Sequence, residues 1–302
     1  MRQMVILSGK GGTGKTSLAA SFAHLAAASP FPLRAVLADA DVDAANLELL
    51  LNPEVLEKHE FVGGSTAVID PDQCDGCGIC QQVCRFDAIL PPSSGDGWGY
   101  QVDSIACDGC AACFYQCPNQ AVRMQPQLAG YWYHSDSRYG ALFHAALLPA
   151  QENSGKLVTL VKGQARLFGL DHEAQVLMVD GPPGVGCPVI SAASGADLAL
   201  IVVEPSLAGI HDAQRALQTT RHFNIPTVVS INKADLYPAG TDQIKGFCLE
   251  NGVEILGEVP FDDSVTESMV NGEPVTAYFP ESPASRAIKN IWSSLVLLLD
   301  KN

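Results

Sequence analysis

A doubly wound, mostly parallel α/β sheet interrupted by a small α+β insertion is the fold that these 302 residues predict. Three observations carry it. An apolar run, Met4-Val5-Ile6-Leu7, passes through a glycine-rich loop into an alanine-rich helical stretch. Further apolar runs alternate with helical segments to the C-terminus. Between them, eight of the ten cysteines crowd into positions 74–117, which is not how a disulfide framework is spread.

The first element is Leu7 to Ala19, LSGKGGTGKTSLA. Gly9, four residues, then Gly14-Lys15-Thr16 is the spacing of a phosphate-binding loop between a strand and a helix. The backbone amides of Gly9, Gly11, Gly12, Thr13 and Gly14 cradle phosphate oxygens in such a loop. Lys15 reaches the β- and γ-phosphates, Thr16 ligates Mg²⁺, and the helix start adds a positive dipole. Lys10 has no task in this scheme.

The next strands are expected at Ala35–Ala38, Val176–Val179, Leu198–Val203 and Thr227–Ile231. Each ends in polar residues: Asp39 and Asp41, Asp180, Glu204, and Asn232-Lys233. Strand C-terminal ends are where open α/β sheets place their ligands. Asp180-Gly-Pro-Pro-Gly184 reads as a Walker B carboxylate, holding Mg²⁺ through water, followed by a loop able to sense the γ-phosphate. Asp39 and Asp41 place one carboxylate near the metal and one near the attacking water.

The insertion holds Cys74, Cys77, Cys80 and Cys84, then Cys107, Cys110, Cys113 and Cys117, each set spaced C-x2-C-x2-C-x3-C. That spacing predicts a two-cluster ferredoxin fold of the bacterial type with two 4Fe-4S clusters. The motif implies one cluster on Cys74, Cys77, Cys80 and Cys117, and the other on Cys107, Cys110, Cys113 and Cys84. A pair of four-cysteine zinc sites is the alternative. Pro118 follows the last cysteine as the pattern wants, whereas Arg85 replaces the matching proline. Each half runs from cysteine loop through short helix to an extended segment, Ala88–Leu90 or Ala121–Met124, and Pro91 to Gly99 links them. The domains are therefore 1–64 and 127–302 for the nucleotide-binding part and 65–126 for the ferredoxin part.

Gly9-Lys10-Gly11-Gly12-Thr13-Gly14-Lys15-Thr16, Asp39-Ala-Asp41 and Asp180-Gly-Pro-Pro-Gly184 together resemble the deviant Walker A ATPases of the SIMIBI type: MinD, ParA, the Mrp-type iron-sulfur carriers and the nitrogenase iron protein. With its cysteine block the chain resembles MinD-superfamily ATPases that carry an inserted ferredoxin domain. Asn153–Val158 and Glu204–Asp212 also look like that subgroup. The resemblance implies a homodimer formed on ATP, in which Lys10 crosses to the partner's nucleotide and neutralises charge as an arginine finger does. It implies that Asn232 contacts adenine, although Asn232-Lys233-Ala-Asp235 also reads as the guanine-binding box of GTPases.

Composition narrows the partners. A formal charge of -15 repels DNA and anionic bilayers. No secretion signal and no apolar run of about 18 residues is visible, so a cytoplasmic protein is expected. The amphipathic stretch Ser285–Leu299 should dock on the core, and Tyr131-Trp132-Tyr133-His134 should pack between the ferredoxin and ATPase domains, with His134 a core or interface histidine and not a ligand. Cys187 lies seven residues after Asp180, an offset resembling that of a cluster ligand in the nitrogenase iron protein; the simpler reading of Cys187, as of Cys248, is a small buried residue.

The functional expectation is an ATP-hydrolysing, Mg²⁺-dependent dimeric switch coupled to an iron-sulfur electron-transfer module. It would act on a redox or metalloprotein partner, in electron delivery or in metal-cofactor assembly. The alternatives are a non-catalytic redox-sensing scaffold and a MinD/ParA-like positioning ATPase.

Overall fold

Met4, Val5, Ile6 and Leu7 are apolar without alternation because strand β1 (Arg2–Ser8) is covered on both faces; all four are fully buried in the computed structural model. The structure describes residues 1–28, 32–92, 99–149, 154–206 and 208–301. After β1 come α1 (Lys15–Ala28), β2 (Ala35–Asp39), α2 (Leu47–Leu51), β3 (Glu54–Ile69), α3 (Ile79–Val83), β4 (Ile89–Leu90) and β5 (Gln101–Val102). Then follow α4 (Ala112–Gln116), β6 (Val122–Ser137), β7 (Gly140–Leu147), α5 (Ser154–Asp171), β8 (Val176–Pro183), α6 (Cys187–Ala193) and β9 (Leu198–Val203). The chain ends with α7 (Gly209–His222), β10 (Thr227–Asn232), α8 (Pro238–Glu250), β11 (Glu254–Val259), α9 (Asp263–Val270), α10 (Val275–Tyr278) and α11 (Pro283–Lys301).

Two units result: Met1–His59 with Trp132–Ala146 and Ser154–Asn302, and Glu60–Tyr131 with Leu147–Asn153. The strand order is β11-β10-β9-β1-β8-β2-β7-β6-β3. From β11 to β7 every neighbouring pair is parallel. The order reverses around β1, so the loops after β1, β2, β8, β9 and β10 all open at the same sheet edge.

In the first unit α11 packs as its spacing predicts: Ile288, Ile291, Trp292, Leu295 and Leu299 are buried, and Trp292 stacks on Phe22 of α1 at 5.4 Å. Asp262 caps two helices at once. One of its oxygens accepts from Ser264 N at 3.0 Å and the other from Ala284 N at 3.0 Å, at the starts of α9 and α11. Lys162 of α5 performs the opposite service for α6, donating to the carbonyls of Ser191 and Ser194, where the helix dipole is negative.

The second unit contains α3, α4, the antiparallel pair β4–β5 in register Ile89↔Val102, and a small core of Ala67, Cys80, Ile89, Cys113 and Val122. The cysteines line two small cavities, one beside Cys74, Cys77, Cys80 and Cys117 and the other beside Cys84, Cys107, Cys110 and Cys113. Among the described residues, however, no group of three or more His, Cys, Asp or Glu is placed to hold a metal ion. All eight are free cysteines, and burial pushes the Cys80 and Cys113 thiols up. The expected ferredoxin domain with two 4Fe-4S clusters is corrected accordingly: the mostly parallel nucleotide-binding sheet stands, and an iron-sulfur module does not.

Other expectations also change. The expected extended segment at Ala121–Met124 is the start of β6, which runs for 16 residues; the rest of β6, the 16-residue β3 and β7 have no counterpart among the expected strands. Cys187 is exposed at the start of α6, not buried, whereas Cys248 is 1% exposed in α8. Residues 93–98 of the expected linker, together with Asn153 and Leu207, lie outside the described residues.

Candidate active site

The loop after β1 closes over its own strand. Ser8 Oγ donates to Lys10 O at 2.6 Å, and Gly184 N, from the loop after Asp180, donates to Ser8 O at 3.0 Å. Gly12 and Gly14 have φ of 77° and 92°, the left-handed conformation that turns successive amides inward. A side chain at Gly14 would also collide with Asn232. Asn232 braces the loop: its Nδ2 donates to Thr13 O at 2.8 Å, and its Oδ1 accepts from Lys233 N at 3.0 Å.

Lys15 is 6% exposed and electrostatically close to Asp41 and Asp180. Asp180 is 2% exposed and hydrogen-bonds Thr16, yet its Oδ1 has no partner among the described residues. Burial raises its pKa to about 6, Asp41 adds to the rise, and Thr16 and Lys15 oppose it. Thr13 Oγ1 is likewise buried and unpartnered. Two orphaned oxygens beside a hydroxyl, a lysine and inward amides fit a Mg²⁺–nucleotide. Thr16 and Asp180 would hold the ion, which when bound draws charge from the phosphate oxygens.

Asp39 does not point freely into the cradle. It is 1% exposed, and its two oxygens accept from Asp41 N and Leu47 N, both at 3.1 Å. Its carboxyl is held well above the usual range by burial and by Asp180. The side chain therefore ties both ends of the 40–46 loop, and Asp41, half-buried, is the carboxylate that the loop presents near Lys15.

Lys10 is the residue whose surroundings the sequence did not disclose. Its Nζ lies 2.6 Å from Glu204 Oε1 and 3.1 Å from Ser206 Oγ, at the end of β9. Lys233 takes the other oxygen of Glu204 at 3.1 Å and donates to Gly12 O at 3.2 Å. Burial alone would raise the Glu204 pKa, but the two lysines hold it low, so it stays a carboxylate. Glu204 was visible in the sequence as a charged strand end; its role as clamp on two lysines needed the fold. Asp235 of the Asn-Lys-Ala-Asp run accepts from Phe261 N at 2.6 Å, so one oxygen of the residue that a guanine reader requires is engaged by the backbone.

The fold and this cradle define a P-loop nucleotide hydrolase. The profile of the CobQ/CobB/MinD/ParA nucleotide binding domain matches residues 4–275, and the chain belongs to that family of P-loop ATPases. An uncharacterised protein of Methanocaldococcus jannaschii is 33% identical over 297 residues, 97% of this chain and 96% of the relative. Among solved structures, the septum site-determining protein MinD of Pyrococcus horikoshii, complexed with Mg-ADP, has a TM-score of 0.56 at 15% identity, covering 97% of this chain and 95% of that one. The MinC:MinD cell division protein complex of Aquifex aeolicus gives 0.58 at 20% identity, covering 98% and 96%. ATP and Mg²⁺ are thus the cofactors the family and the cradle support; the 4Fe-4S clusters and electron-transfer role are not among them. No helix of the described residues is long and apolar enough to cross a membrane.

Proposed function

We propose that the protein is a positioning ATPase of the MinD and ParA kind: two copies close on one another with ATP and Mg²⁺ bound, engage a partner protein in that state, and part on hydrolysis. The observation that carries this reading is the different placement of two lysines from one loop. Lys15 is sequestered in its own cradle, whereas the Lys10 side chain is one-third exposed and held by Glu204 and Ser206 among the described residues. A cation restrained in this way can be handed to a second copy's nucleotide at the moment charge develops there.

In this scheme the amides of Gly9, Gly11, Gly12, Thr13 and Gly14, with Lys15, hold the phosphates. Thr16 and Asp180 hold Mg²⁺, Asp39 orders the loop, and Asp41 orients the attacking water. Asn232 braces the cradle on the side toward the base. The likeness to the MinC:MinD cell division protein complex supports a protein as partner. The net charge of -15 works against contact with DNA and anionic bilayers.

Light scattering after size exclusion, with and without Mg²⁺–ATP, tests the reading. The wild type is expected to shift from monomer to dimer with ATP. Lys15→Ala should lose nucleotide binding and the shift together, while Lys10→Ala should keep ATP binding and lose turnover. A Lys10→Ala protein that hydrolyses ATP at the wild-type rate would remove the trans-acting role.

A further inference from the structure

Behind the nucleotide loop lies a hydrogen-bonded chain that the ATPase description leaves unused. His144 of β7 is 3% exposed. Its Nδ1 lies 3.0 Å from Glu48 Oε2 of α2, and its Nε2 lies 3.0 Å from Ser135 Oγ of β6, itself fully buried. Tyr133 stacks on the ring at 4.9 Å. A proton on Nδ1 satisfies all three groups: the carboxylate accepts from the ring, and the Ser135 hydroxyl donates to Nε2. The hydrogen bond from His144 holds the Glu48 carboxyl below its usual range, as expected for an engaged carboxylate.

Glu48 stands one residue after Leu47, whose backbone N–H is held by Asp39. Helix α2 is only five residues long and is too short to be stable by itself. Its start is tied to Asp39, its first turn to His144, and its end to Arg138, whose N–H donates to Leu51 O at 3.4 Å. Leu47, Leu50 and Leu51 bury one face of the helix in the core, and Asp39 ties its start to β2; the restraint through Glu48 adds a hold on the first turn from β7. If that hold is lost, the first turn can shift about its buried face, and the direction of the Leu47 N–H toward Asp39 is less closely fixed.

We propose that His144 is a positioning residue for ATP hydrolysis: through Glu48 it seats α2, and so sets the Leu47 amide and the loop carrying Asp41 against Asp39. The inference rests on the reading that this loop serves hydrolysis.

The test compares His144→Phe, His144→Asn and Asp41→Ala, measuring steady-state ATP turnover and amide hydrogen exchange at Leu47. Phenylalanine keeps the ring against Tyr133 but offers no donor. It should lower kcat roughly tenfold with KM for ATP changed less than about twofold, and speed Leu47 exchange about tenfold. Asparagine restores a donor at the place of Nδ1 and should recover most of the protection and most of kcat. Glu48→Ala, which removes the acceptor from a partly exposed side chain, serves in place of His144→Phe if that variant fails to fold. Unchanged Leu47 exchange and kcat in His144→Phe, while Asp41→Ala loses turnover, would overturn the inference. If Asp41→Ala also keeps full turnover, the reading of the loop falls and this inference with it.

Discussion

The Lys10 ammonium and the Glu204 carboxylate are 2.6 Å apart, and the same carboxylate binds Lys233 at 3.1 Å. One acidic residue thus sits between two cations at the mouth of a site built for a polyanion. Removing it should favour phosphate. At a separation of roughly 10 Å and an intermediate effective dielectric, one charge is worth about 1 kcal/mol. Glu204→Gln is therefore expected to tighten ATP binding about fivefold, read by titration with a fluorescent nucleotide. Weaker binding would mean that Glu204 organises the loop more than it opposes the phosphates.

Asp180 has a buried oxygen with no protein partner among the described residues. Asp180→Asn keeps the shape and removes the charge that a divalent ion needs. Turnover should fall about a hundredfold or more, and the Mg²⁺ concentration for half-maximal rate should rise. Chelation of Mg²⁺ in the wild type should abolish hydrolysis. An Asn variant with an unaltered Mg²⁺ profile would argue that the ion is held without this residue.

Asp262 gives a pH prediction with a definite sign. Partial burial tends to raise its pKa, but hydrogen bonds from Ser264 and Ala284 prevail and hold it below the ordinary value. A carboxyl depressed in the folded state contributes stability above the unfolded pKa of about 3.9 and loses it as pH falls through the folded value. Asp262→Ala should therefore cost about 1 kcal/mol at pH 7 from the lost caps. In urea titrations the difference from wild type should shrink below about pH 4. A difference that stays constant down to pH 2 would show that the caps do not depend on ionisation.

Leu295 is fully buried in the α11 seam that also holds Trp292 against Phe22. Leu295→Ala should cost about 2–5 kcal/mol of unfolding free energy. Since α11 supplies none of the cradle residues, ATP turnover per folded molecule should be preserved. A stability loss under about 1 kcal/mol would mean that the seam collapses around the deletion.

Much of the cradle was legible because its chemistry is local. A glycine-rich turn between a buried strand and a helix dictates inward amides, and Gly9, Lys15 and Thr16 follow from spacing within eight residues. The strands of the parallel sheet were legible too, since burial on both faces leaves continuous apolar runs such as Leu198–Val203. The edge region was not: β3 is exposed over most of its length and carries Glu54, Glu57, Lys58 and Glu60, so no apolar period announces it. The cysteine spacings misled in the opposite way. Spacing constrains which thiols can meet along the chain, but a metal site also needs its ligands to converge in space, and among the described residues no group of three or more is placed to do so.

By itself the sequence determined a P-loop ATPase, with a glycine-rich loop after its first strand, an aspartate at a strand end and an extra lysine in the loop, because each depends on neighbours a few residues apart. Only the tertiary structure decided what those groups touch. Glu204 is 194 residues from Lys10, and His144 is 96 from Glu48. Asn232 is 219 from Thr13. Such pairings are set by strand order and helix packing, which bring distant carboxylates, amides and imidazoles within 3 Å of one another, and no periodicity along the chain encodes those distances.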